Sequence, residues 1–114
     1  MLNVVIKDRL ELILDSIKVI ESGLIKIKNS DSEEKLLFMD SLALRLQQIG
    51  ENVKKINQID KDFFDIKLGL DVDQIIRFRD FIAHHYEKTD FEIILDICEK
   101  HIPLLKKKIN KVLK

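Results

Sequence analysis

The sequence predicts an all-α fold, an antiparallel bundle of four to five helices, and three observations carry that prediction. Only three glycines and one proline occur in 114 residues, too few for the many turns of a β-fold. Hydrophobic residues make up 46% and charged residues 35% of the chain, and the apolar positions recur every three or four residues, the spacing of helices with one buried stripe. The polar breaks between stripes are short, which sets neighbouring helices antiparallel. The length fits one domain spanning residues 1–114.

Ile6, Leu10, Ile13, Ile17, Ile20, Leu24 and Ile27 mark the first stripe, and a helix over roughly 2–28 follows from it. Val5, Leu12 and Val19 form a second line at intervals of seven, which widens the apolar face and predicts contact with more than one neighbour. Asn29, Ser30, Asp31 and Ser32 supply stop and start chemistry, because short polar side chains accept hydrogen bonds from the free amides of a following helix. The second helix is therefore expected from near Asp31, with Met39, Leu42, Leu46, Ile49, Val53 and Ile56 on its buried face. Gly50 inside it weakens the helix by about 1 kcal/mol relative to Ala, a loss that close helix contact would justify.

Residues 59–72 lose the period and read as the longest connection, tucked onto the bundle by Phe63, Phe64, Ile66 and Leu68. Asp71 and Asp73 are both suited to cap a third helix over 73–86. After Thr89 and Asp90 a last stripe runs through Phe91, Leu95, Cys98, Ile102, Leu105, Ile109 and Val112. Pro103 lies within it and should kink or split that helix, since it lacks an amide and its ring clashes with the preceding turn.

With 20 basic and 20 acidic residues the formal charge is zero, so attraction to a polyanion has to come from a local patch. Lys106, Lys107, Lys108, Lys111 and Lys114 form one at the C-terminus, although cations there also complement the helix dipole. Cys98 is the only cysteine, which rules out an intramolecular disulfide and points to a reducing, cytoplasmic setting. It falls on the apolar stripe and reads as buried filler, while His101 beside the stripe reads as a surface residue. No segment approaches the ~20 apolar residues of a membrane span. No Glu-x-x-His arrangement argues for a metal-holding bundle, so neither a metal nor a cofactor is expected.

The chemistry concentrates in the third helix, where Arg77, Arg79, Asp80, His84, His85 and Tyr86 fall within ten residues. At about 100° per residue Arg77, Asp80 and His84 share one face, and Arg79 and Tyr86 lie roughly opposite. Asp80 stands one turn before His84, where its carboxylate can fix the imidazole tautomer. A held imidazole with nearby guanidinium suits metal-free RNA cleavage: His moves the protons and Arg neutralises the phosphoryl oxygens. Arg79 and His84 diverge by about 140° on one helix, so joint action needs a frayed helix end, a long Arg reach, or a second subunit. A C2 dimer would place two copies of each group around one cleft. The plain alternative is a surface ion pair of Arg77 with Asp80 and a helix ending in polar groups.

Arg79-Asp80-Phe81-Ile82-Ala83-His84-His85-Tyr86 resembles the R-x4-H-x-Y signature of HepT toxins, a branch of the HEPN superfamily. Ile49-Gly50-Glu51-Asn52-Val53-Lys54-Lys55 is similar to the family's G-E-A-type segment on helix two, and Ile102-Pro103-Leu104-Leu105 to its proline-containing last helix. The resemblance implies a homodimeric, metal-independent endoribonuclease acting on RNA such as tRNA or mRNA and leaving 2′,3′-cyclic phosphate ends. It makes Arg79 and His84 the catalytic pair. Where the family often has Asn after the arginine, this chain has Asp80. The looser superfamily spacing also admits Arg77, which stays an auxiliary candidate. Family members of this type are usually encoded beside a minimal nucleotidyltransferase antitoxin that adenylylates the motif tyrosine, here Tyr86. The alternative is a catalytically inactive HEPN scaffold or nucleotide-binding partner of such a nucleotidyltransferase.

Overall fold

The computed structural model describes residues 2–85 and 91–114, with backbone alone for 83–85. Helix α1 spans Val4–Lys28, α2 Ser32–Ile59, α3 Asp73–His85, α4 Phe91–Lys100 and α5 Ile102–Leu113, with a single π-helical turn at Phe63–Leu68 between α2 and α3. The described residues contain helices and no strands. No helix among them is long and apolar enough to cross a membrane.

Side-chain caps build the helix starts, at Asp31 where the sequence marks one and at Asn3 where the sequence reading names none. The Asn3 side chain accepts from the amides of Val5 and Ile6, and Asp31 accepts from Glu34 N–H at 2.9 Å, each satisfying donors that a first helical turn leaves open. Asp71 likewise accepts from Asp73 N–H at 2.9 Å, just before α3. Gly69 follows the π-turn with φ +63°. That left-handed conformation suits glycine, and it lets Leu70 N–H bond back to Phe64 O at 2.9 Å.

α1 and α2 form the antiparallel hairpin at the centre: Gly23 faces Leu42, and farther along Arg9 donates to Asn52. Every stripe residue expected on α2, from Met39 to Ile56, is buried, and so are Ile6, Leu10, Ile13, Ile17 and Ile20 of α1. α4 and α5 close the bundle with Ile94, Cys98, Ile102, Leu105 and Ile109. The last stripe does divide. His101 marks the break and Pro103 sits in the first turn of α5, where its missing amide is one the helix would leave free anyway.

α1 meets α2, α4 and α5, the contact with more than one neighbour that its wide apolar face predicts, although Val5 and Leu12 are themselves 51% and 46% exposed and Val19 is half-buried. Two expectations need correction. The connection after α2 is ordered by its π-turn, whose buried side chains are Phe63, Phe64 and Leu68, whereas Ile66 points outward at 72% exposure. The widened i to i+5 step explains that mismatch, because it rotates the residues after Phe64 away from the register an α-helix would give. Asp80 pairs with Arg79, not with Arg77.

Among the described residues the α3 backbone is in close contact with α2 alone, and Phe78 and Ile82 anchor it to the core.

Candidate active site

Arg79 is positioned by the backbone of α2. Gly50 is buried against it so closely that a Cβ there would lie 2.8 Å from Arg79 Cγ, nearer still to Arg79 Cβ, and 3.4 Å from the Ile75 carbonyl oxygen. The glycine inside α2 is thus the condition for α3 to approach at this point. The next residue, Glu51, places Oε1 3.8 Å from an Arg79 terminal nitrogen, and Asp80 bonds the other terminal nitrogen at 2.5 Å. Asn52 continues the tie, accepting from Arg9 of α1 at 3.2 Å and donating to Gln48 O.

The guanidinium is therefore held by two carboxylates at a half-exposed position, its own side chain 25% exposed and those of Glu51 and Asp80 42% and 52%. Pairs this exposed contribute at most about 1 kcal/mol each; what they give is orientation. Arg79 Nε is buried without a hydrogen-bond partner among the described residues, an arrangement that is disfavoured by about 1–3 kcal/mol.

Arg77 goes elsewhere. It lines an open groove of about 460 Å³ between α3 and α4, with Ile75, Phe78, Phe81, Ile93 and Ile97 as its apolar wall and Asp96 and His101 at its polar side. The Phe78 and Phe81 rings stack across 5.9 Å at 27°. The two arginines thus serve different surfaces, one against α2 and one toward α4.

His84 lies on α3, which is helical through His85; its side chain is outside the described residues, as is the whole of Tyr86. On this helical backbone the Arg79 and His84 positions stand about 140° apart. The Asp80 carboxylate bonds Arg79, and its expected contact with His84 involves a side chain outside the described residues. Glu51 is a residue of the site that sequence reasoning misses. Its signal is the Gly50-Glu51 pair: a buried glycine in a long helix announces a close partner, and the side chain after it is well placed to touch that partner.

Cys98 is buried, and burial, with the nearby charge of Glu99, pushes its thiol up to about 12. It is filler and not a nucleophile. His101 is exposed. No group of three or more metal-ligating side chains occurs among the described residues.

Compared with known families, residues 6–112 match the model described as HepT-like, Ribonuclease HepT-like. No curated protein and no solved structure is similar enough to match.

Proposed function

The chain belongs to the HepT-like ribonuclease family of the HEPN superfamily, and from that premise we propose that it is a metal-independent endoribonuclease, the toxin of a toxin–antitoxin pair. The observation that carries this reading is the seating of Arg79, the motif arginine, on Gly50 and between Glu51 and Asp80. A cation fixed in advance where charge develops stabilises a transition state without reorganisation.

In the proposed reaction the ribose 2′-oxygen attacks the adjacent phosphorus and the bond from phosphorus to the 5′-oxygen breaks. His84 of one protomer takes the 2′-hydroxyl proton, and a second imidazole returns one to the leaving 5′-oxygen, giving a 2′,3′-cyclic phosphate and a 5′-hydroxyl. Arg79 neutralises the non-bridging oxygens. The 140° divergence and the hold of α2 on Arg79 favour a site assembled by two protomers, with α3 facing its copy. Two features support such a homodimer: among the described residues the α3 backbone comes close to α2 alone, and the apolar groove between α3 and α4 is open. Asp80 and Glu51 orient Arg79, and Arg77 plays at most an auxiliary part.

Tyr86 follows His84 by two residues. Transfer of AMP to its phenol oxygen by a minimal nucleotidyltransferase antitoxin would put bulk and negative charge beside the cleft and repel an RNA phosphate. The setting proposed is the cytoplasm.

Cleavage of purified tRNA and total RNA in the presence of chelator tests the activity, after intact mass has established that Tyr86 carries no addition. Wild type should cut and leave cyclic phosphate ends, and His84→Ala should not. A folded, unmodified protein that cuts neither pool would overturn the reading in favour of a non-cleaving HEPN scaffold.

A further inference from the structure

Three lysines from two separate elements converge on one recess. Lys67 of the π-turn and Lys108 and Lys111 of α5 line a hollow of about 250 Å³ floored by Leu68 and Val112, and no carboxylate lines it among the described residues. The π-turn and α5 are packed together, so the fold brings the three lysine positions to one place. Lys106, the neighbouring cation of α5, is engaged by Glu21 of α1 at 2.8 Å. Lys67, Lys108 and Lys111 have no ion-pair partner among the described residues.

Helix-dipole complementation accounts for Lys111 in the last turn of α5 and Lys67 in the last turn of the π-helical segment, each taken singly. It does not account for both turning, with Lys108, toward one uncompensated hollow. In a chain with formal charge zero, such a patch is where a polyanion gains most from local attraction.

We propose that this recess is a phosphate-binding track for single-stranded RNA, outside the motif on α3. The ammonium groups touch successive backbone phosphates and leave the bases unread, so the track adds affinity without sequence preference. That the strand is the substrate rests on the ribonuclease reading; the binding itself does not.

The test uses full-length protein and a fluorescent 2′-O-methyl oligouridine, which lacks the 2′-hydroxyl needed for cleavage and so reports binding alone. Anisotropy titrations at several salt concentrations compare wild type, the triple variant Lys67→Gln, Lys108→Gln and Lys111→Gln, and a control with Lys7, Lys28 and Lys35 changed to Gln. The triple variant should bind more weakly, with a salt slope shallower by about 2, at about 0.7 for each phosphate no longer neutralised. The control, equal in charge change, should keep most of the slope. No binding by wild type, an unchanged slope in the triple variant, or an equal loss in the control would each overturn the proposal. Absence of RNA cleavage by wild type would count against the ribonuclease reading while leaving this result intact.

Discussion

Gly50 and Arg79 meet without room for a methyl group: a Cβ on the glycine would stand 2.8 Å from Arg79 Cγ. That meeting point joins the second helix to the motif helix at the arginine on which the proposed chemistry depends. It also ties a structural feature of α2 to the proposed catalysis on α3, and so yields a first prediction.

Gly50→Ala should destabilise the protein by about 1–3 kcal/mol through overpacking, partly offset by roughly 1 kcal/mol of better helix propensity. Cleavage should fall by more than the unfolded fraction explains, because Arg79 must shift. Gly23→Ala is the contrast, since its Cβ would lie 3.1 Å from Leu42 Cδ2, the movable end of a side chain. Urea unfolding and cleavage rates on both variants check this; equal effects at the two glycines would contradict it.

Glu51→Gln keeps the side chain's size and removes its charge from Arg79. With the pair half-exposed, stability should change by less than about 1 kcal/mol, while cleavage drops as the guanidinium loses its orientation. Arg79→Lys should cut the rate by about 10²–10³-fold, the magnitude for removing one transition-state donor. Thermal melts alongside single-turnover rates separate the two effects, and a Lys variant with full activity would refute the oriented-fork argument.

Cys98 titrates near 12 in the folded protein against an ordinary value of 9.0. The folded state therefore holds its proton between these values while the unfolded chain releases it. Stability from this group is fully present below pH 9 and is lost as pH rises toward 12, with a slope of up to about 1.4 kcal/mol per pH unit. Denaturant unfolding across that window should show the loss in wild type and a flatter profile in Cys98→Ala. Native protein should also resist alkylation at pH 8 and react once unfolded.

Ile93 stands on the wall of the groove between α3 and α4 with 47% of its surface exposed. If the motif helices of two protomers are apposed there, Ile93→Glu buries an unpaired charge in the interface and leaves the monomer fold alone. Light scattering should then move from the dimer mass toward the 13.4 kDa of one chain, with cleavage lost in parallel. A variant still dimeric and active would remove this face from the interface.

The helices are legible in the sequence because their apolar stripes are regular: every position that the spacing marks on α2 is buried, and Asp31 and Asp71 accept from the first turns of α2 and α3 where the sequence names them. The π-turn is not legible, since an i to i+5 step leaves no periodic trace in six residues, and Ile66 defies the sequence reading for that reason. Val5 and Leu12 lie on the wide apolar face yet stay about half exposed, because an apolar period does not say which of its positions a neighbour covers. At the site, the motif residues can be named from the sequence but not sorted. Spacing alone puts Asp80 with Arg77, whereas the approach of α2 brings Glu51 to Arg79 and Asp80 pairs with its immediate neighbour.

Arg79 and Arg77 face different surfaces, and only the first is held where the proposed reaction needs a cation on phosphate. Chelator-resistant RNA cleavage by Arg79→Gln and Arg77→Gln decides between them. Arg79→Gln should be folded and inactive, while Arg77→Gln retains most of the wild-type rate. An inactive Arg77→Gln beside an active Arg79→Gln would reverse the assignment and move the reacting phosphate to the groove between α3 and α4.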